Sequence, residues 1–157
     1  MRRKDRELKN EQEILDVLAA GEIAQIAFVE DGEPYIVTMN YGYEQEGEWL
    51  QLYFHSAREG RKIECIKKNP RVCFTVALPG DLVTGERACD YGMKFSSVVG
   101  YGTLSILESE QERLHGLKIL MKQFTESANK EWEFDPHVMH ATTVLRLDVE
   151  TITGKRK

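Results

Sequence analysis

The stretch "HSAREGRKIECIKKNPRVCF", His55 to Phe74, runs from a strand end through a short helix into another strand, and its reading decides the fold. Between His55 and Arg71 it holds six basic residues, Arg58, Arg61, Lys62, Lys67, Lys68 and Arg71, against Glu59 and Glu64. The chain as a whole carries a formal net charge of -5 over 157 residues. A basic cluster in an acidic chain points to a small anion. It does not point to nucleic acid, whose sequence-independent binding rests on a broad basic surface.

Ser56, three residues before Glu59, fits the N-cap of a helix from Ala57 to about Lys68, whose first turn offers free amides and the positive dipole end to an anion. Gly60 keeps the approach open, and Arg61 and Lys62 lie close enough to add charge-assisted hydrogen bonds, so a phosphate monoester suits the arrangement. Ordinary charge placement accounts for the cluster equally well, with Lys67 and Lys68 complementing the negative helix end and Arg58 and Arg61 solvated. Upstream, "WLQLYFHS" alternates: Leu50, Leu52 and Phe54 share one face, and Trp49, Gln51, Tyr53 and His55 the other. His55 therefore points away from the apolar face, towards a ligand or towards a surface partner.

Working outward, "NEQEILDVLAA" predicts a first helix capped by Asn10, with Glu13 three residues on and Gly21 at its end. Two strands follow, joined at Asp31-Gly32, with Pro34 near the start of the second. That second strand is read as continuous from Glu33 to Glu44, and a turn around "EQEGE" leads into Trp49. If these neighbouring strands form a meander, Thr38 and Asn40 lie beside Gln51, Tyr53 and His55. After the basic window come a strand "RVCFTVAL", a loop from Pro79 to about Asp90, and a long strand "SSVVGYGTLSILE" whose glycines relieve crowding at a bend. A helix capped by Ser109 and Glu112 presents a stripe of Leu114, Leu117, Met121 and Phe124, and "TTVLRLDVETITGK" closes the chain as a strand.

Strands dominate without regular βαβ alternation. The fold class expected is mainly β, an antiparallel β-barrel with three or four peripheral helices, in a single domain spanning residues 1–157. With 41% apolar and 30% charged residues, the composition is that of a soluble globular chain, and no apolar run approaches a membrane span. The charged N-terminus lacks a secretory core, which makes a cytoplasmic location the expectation. Three cysteines without a CxxC pair argue for reduced thiols and against a zinc knuckle. GxGxxG and GxxxxGK[ST] loops are absent. "HVMH" places His137 and His140 three apart, but no clear carboxylate partner accompanies them, and no metal is expected. Trp132 and Phe134 read as a cover over the core or over a partner's groove.

The segments "PYIVTMNYGYE", "LYFHSAREGRKIECIKKNPRVCF", "KFSSVVGYGTLSIL" and "ITGK" together resemble the FMN-binding split-barrel proteins related to pyridoxamine 5′-phosphate oxidase, and most closely their nitroimidazole-resistance (Nim) group. The resemblance implies a small antiparallel split barrel that forms a homodimer, with FMN in a groove between subunits. It implies that Val37, Thr38, Met39 and Asn40 line the flavin ring, that His55, Ser56 and Lys62 lie at or near the ribityl phosphate, and that Ser96, Ser97 and Val98 come beside the same groove. His55 also takes the role proposed for reduction in Nim-type proteins. Similar sequences often carry Arg where this chain has Ser96, and the Arg-Leu-x-Pro ending of true pyridoxamine-phosphate oxidases is missing. The function implied is a flavoprotein taking a hydride from NADH or NADPH and reducing a small acceptor, a nitroaromatic being one candidate. The alternatives are a non-catalytic FMN-binding or related-cofactor-binding protein and an oxidase like pyridoxamine 5′-phosphate oxidase.

Overall fold

The computed structural model describes residues 3–125 and 132–157. Seven antiparallel strands form one sheet, β1 (Ile23–Glu30), β2 (Glu33–Asn40), β3 (Gly42–Glu46), β4 (Trp49–Ala57), β5 (Arg71–Val83), β6 (Gly92–Ile106) and β7 (Thr142–Arg156), in the order β2-β1-β5-β6-β7-β4-β3. Four α-helices accompany them among the described residues: α1 (Glu11–Ala20), α2 (Arg61–Lys68), α3 (Glu110–Gln123) and α4 (Pro136–Ala141). The sheet coils until β2 packs against β4 without a ladder between them, which makes a split barrel.

Local chemistry explains much of this. Asp31 at φ 52° and Gly32 at φ 88° form the tight turn between β1 and β2, the left-handed pair that a two-residue hairpin needs. The Asn10 side chain accepts the Glu13 amide, and Ser109 accepts that of Glu112, so both caps close as expected. Gly100 leaves room for the Phe74 ring, since a Cβ there would come within 2.4 Å of it, and the ladder shifts register just after Tyr101. Ile26, Phe28, Phe54, Phe74, Leu145 and Leu147 fill the barrel interior with almost no exposure.

Three expectations need correction. The strand read as continuous from Glu33 to Glu44 breaks at Tyr41: β2 pairs with β1 at one end of the sheet, and β3 pairs with β4 at the other. Gln51 and Tyr53 therefore face Glu44 and Gly42 of β3, not Thr38. Second, Ser56 is not a helix cap. β4 continues through Ala57, and Gly60, at φ 124°, occupies the N-cap position of α2. Third, β5 runs on to Val83 past a bulge after Pro79, because Leu82 and Val83 find partners in Met93 and Gly92.

Helix α3 lies on the outer face of β3, β4 and β7. Gly42 and Gly116 allow the approach, since a Cβ on Gly42 would lie 2.5 Å from the Ile119 carbonyl oxygen and one on Gly116 2.7 Å from the Tyr53 ring. Tyr53 donates to Glu44 at 2.6 Å, and His115 of α3 meets the same carboxylate at 2.9 Å. Burial alone would raise the Glu44 carboxyl, but the bonds from Tyr53 and His115 outweigh it and hold its pKa below the usual value.

Gly42→Ala is expected to cost about 1–3 kcal/mol, as overpacking against a fixed backbone does, in urea unfolding. Amide exchange should rise more across 110–123 than across β5 and β6. A carboxyl depressed in the folded state stabilises above its unfolded pKa, and that contribution is lost as pH falls through the folded value. The stability difference between wild type and Glu44→Gln should therefore narrow as the pH is lowered from about 6 to about 3, across the ordinary carboxylate range.

Candidate functional site

The basic window resolves into pairs. Arg61 donates to Glu30 at 2.8 Å and stacks 4.2 Å from the Tyr35 ring, and Lys68 reaches the same carboxylate at 3.6 Å. Lys67 pairs with Glu64, Arg71 with Glu150, and Arg58 donates to the His140 carbonyl oxygen at 3.0 Å. Like Arg58, Lys62 pairs with no acid among the described residues; its ammonium donates to the Ser56 hydroxyl at 2.8 Å.

Ser56 Oγ in turn donates to the Ala57 carbonyl oxygen at 2.9 Å, so the hydroxyl is held in place while Lys62 retains two N–H groups for another acceptor. The first amide bonds of α2 run from Ile63 and Glu64 to the Gly60 carbonyl oxygen, which leaves the amides of Arg61 and Lys62 at the open helix end. A Cβ at Gly60 would meet nothing within 4 Å. The ammonium, held by the Ser56 hydroxyl, the two free amides of the helix start and the open space above them form a donor set for a phosphate monoester.

Alternation along β4 sends His55 the other way. Ser56 is buried on the barrel side, whereas His55 is exposed on the outer face. There it meets Asn40, the last residue of β2, in a cavity of about 480 Å³. Helices α3 and α4 supply the walls through Leu117, Met121, Phe124, Val138 and Met139. Asp135 caps α4 by accepting the amides of His137 and Val138, and Asn40 donates to the Glu22 carbonyl oxygen at 3.3 Å.

The residues singled out in the sequence thus fall into three groups. Ser56 and Lys62 come together at the start of α2, and His55 with Asn40 at the pocket. Thr38 lies exposed beside Asn40 on the outer face, while Met39 is buried in the core and Val37 packs against it, so their side chains face the barrel interior. The register places Asn40 level with Ile23 and, two residues from the Gln25–Thr75–Val99 row, Ser97 level with Ala77. Ser97 therefore stands about three strand spacings, roughly 14 Å, from Asn40. Ser96 accepts from Arg156 at 3.2 Å, and Val98 is fully buried. Within one chain, this segment lines neither the Lys62 end nor the pocket.

The pocket wall was missed in the sequence. Its signal is a surplus on α3: Gly116, Ile119 and Leu120 already form a buried face, so the Leu117, Met121 and Phe124 stripe is a second apolar face. Phe134, read as a cover, lines this pocket, whereas Trp132 lines a separate one with Arg113 and His140. Among the described residues no group of three or more His, Cys, Asp or Glu could hold a metal ion, and no helix is long and apolar enough to cross a membrane.

A split antiparallel barrel with a phosphate-type donor set at a strand-to-helix junction defines a class of small ligand-binding β proteins. The family model for pyridoxamine 5′-phosphate oxidase matches residues 10–156, and the chain belongs to that family. An uncharacterized protein of Rhizobium meliloti (strain 1021) is 31% identical over 116 residues, which is 71% of this chain and 67% of that one. A candidate 5-nitroimidazole antibiotic resistance protein from Bacteroides thetaiotaomicron superposes with a TM-score of 0.82 at 28% identity, covering 96% of this chain and 86% of its own. A FAD-binding protein from Mesorhizobium loti does so at 0.70 and 26% identity, covering 97% of each chain.

If the Lys62 end binds phosphate, inorganic phosphate should perturb the Lys62 and Gly60 amide resonances in a titration. Lys62→Ala is expected to weaken that binding by about tenfold or more, the usual size of a lost charged hydrogen bond. Arg61→Ala, which removes a cation already neutralised by Glu30, should change it by less than about threefold.

Proposed function

We propose that this chain is an FMN-binding flavoprotein, working as a homodimer and reducing a small acceptor with electrons from NADH or NADPH. One observation carries the reading: of the six cations in the basic window, Lys62 alone is aimed at a neutral hydroxyl, beside an open helix start. Ser56, Lys62 and the first amides of α2 would hold the flavin phosphate, and the strand Val37–Asn40 would support its ring. When bound, the flavin supplies the redox chemistry, accepting a hydride from the nicotinamide and passing electrons onward.

Family membership and the FAD-binding Mesorhizobium relative support a flavin, and the Bacteroides relative's description supports a nitroimidazole as acceptor. A compact set of one ammonium, positioned by a hydroxyl, and two amides favours the single terminal phosphate of FMN. The outer face of β2, β1, β5 and β6 supports the dimer. Ile23, Val29, Ile36, Val99 and Tyr101 stand 38–64% exposed there, with Ala27 and Cys73 between them. An apolar sheet face of this kind is suited to a self-complementary contact with a second copy. The same contact would bring a partner's residues towards Thr38 and Asn40, and would give Ser96, Ser97 and Val98 a groove to line. His55, on the pocket side of β4, is placed to hold an acceptor or deliver a proton to it.

The purified protein should show an oxidised-flavin absorption spectrum, with FMN as the released cofactor, bleaching on addition of NADH or NADPH. Lys62→Ala should lower FMN affinity about tenfold or more. Retained flavin with lost turnover in His55→Ala would assign His55 to the reaction, and flavin loss would assign it to binding. Ile36→Asp should convert a dimer to a monomer in light scattering and release the flavin. A colourless protein that fails to take up added FMN would overturn the reading, and a yellow one inert to both nicotinamides would reduce it to a binding protein.

A further inference from the structure

Two chain junctions, one carrying the Lys62 end and one carrying the pocket wall, lie side by side. Only Arg58, Glu59 and Gly60 separate the end of β4 from α2. α4 runs into β7 with no residue between them, and Thr142, the first residue of β7, pairs with Ala57, the last of β4. Arg58 therefore meets the end of α4, and its guanidinium donates to the His140 carbonyl oxygen at 3.0 Å. With six residues, α4 is too short to persist by its own hydrogen bonds. Side chains satisfy its last carbonyls: Val138 accepts from the Thr142 hydroxyl at 2.8 Å, Met139 from Arg113 at 2.9 Å, and His140 from Arg58. Of these three donors, Arg58 belongs to the connection that leads into α2.

We propose that Arg58 is a positioning residue that couples occupancy of the Lys62 end to the seating of α4, so that an anion bound at α2 closes the pocket wall formed by Val138 and Met139. This coupling rests on the reading of the Lys62 end as a phosphate site and on none of the redox chemistry. Ser56 lies two residues before Arg58, and Gly60 two after it. The Lys62 ammonium holds the Ser56 hydroxyl on one side. On the other, Gly60 at φ 124° makes a turn that favours glycine, with open space where a Cβ would stand. A phosphate bonded to the amides of Arg61 and Lys62 would fix that turn. Arg58 would then start from a restricted backbone, and its bond to His140 would form at a smaller entropic cost. Linkage makes the effect reciprocal, so a seated α4 strengthens anion binding by the same factor.

Amide exchange at Met139, His140 and Ala141 reads the seating of α4, and the Lys62 amide resonance of the same samples reads binding of inorganic phosphate, the probe. Saturating phosphate should slow exchange in α4 of the wild type by about fivefold or more, the lower end of ordinary coupling between sites. Arg58 is exposed, so Arg58→Ala removes no core contact. That variant should still bind phosphate, with faster exchange in α4 and a response to phosphate below about twofold, since the coupling is lost. Arg113→Ala removes the other arginine bond to α4. Exchange should rise there too, but the response to phosphate should remain, which separates coupling from support of the helix. Arg58→Lys keeps a charge and a donor and should restore part of the response. A response undiminished in Arg58→Ala, or lost equally in Arg113→Ala, would overturn the proposal. A Lys62 amide that shifts in wild type while α4 stays unchanged would also overturn it and leave the phosphate site standing. No shift at Lys62 would remove the phosphate site and the coupling together.

Discussion

Tyr41 carries the chain from one edge of the sheet to the other. It is the one residue between β2 and β3, it is fully buried, and its hydroxyl donates to the Leu18 carbonyl oxygen at 2.6 Å. Burial pushes that phenol well above its usual pKa, so it remains a neutral donor. Because a single residue spans the crossing, β2 must lie against β4 wherever β3 pairs with it. The seam of the barrel, the meeting of Asn40 with His55, and the floor of the pocket all follow from this short link. A longer connection would let the sheet edges part, and no cavity would form between them.

The seat of α3 depends on the same crossing. Gly42, the residue after Tyr41, is where the backbone of α3 rests, and Gln123 at the far end of α3 donates to the carbonyl oxygens of Leu18, Ala19 and Gly21. These bonds satisfy the C-terminal carbonyls of α1, which would otherwise be left without helical partners. Anchored at Ile119 and Gln123, α3 has one face on β3, β4 and β7, and the other lines the pocket with His55. Arg113 and Arg58 then hold α4 by the carbonyl oxygens of Met139 and His140, closing the other wall. Arg58 comes from the β4–α2 connection, so the anion end and the pocket wall share a covalent neighbourhood of a few residues.

What was legible in the sequence was local. The Asp31-Gly32 turn, the Asn10 and Ser109 caps and the alternation of Trp49 to His55 are set by neighbours within four residues, and they were read correctly. The break at Tyr41 was not, because nothing in "EPYIVTMNYGYE" interrupts the strand pattern: the chain changes ladder partner without changing conformation, and the partner is chosen by distant residues. Ser56 was misread for the opposite reason. Ser-x-x-Glu satisfies a capping pattern, but pairing of Ser56 and Ala57 with Thr143 and Thr142 extends β4 past it. Tertiary pairing won over a local preference worth about 1 kcal/mol. The second apolar face of α3 was visible as a stripe, yet a stripe is ordinarily core. Only the buried Gly116–Ile119–Leu120 face shows that the core requirement was already met.

The basic window gains its meaning from subtraction. Surface ion pairs contribute little to stability, typically about 0–1 kcal/mol each, so the pairs made by Arg61, Lys67, Lys68 and Arg71 are weak as stability devices. Their effect at this place is to neutralise: Glu30, Glu64 and Glu150 are matched to cations, Arg58 is turned to a backbone carbonyl, and Lys62 is left with a hydroxyl. A half-buried ammonium bonded to a neutral oxygen keeps most of its attraction for an anion, because no fixed charge cancels its field. The count of six cations in an acidic chain therefore says little about ligand binding. Of the two that face no acid, Arg58 is turned to the His140 carbonyl oxygen, and Lys62 stands where a helix start and an open glycine allow an oxyanion to approach.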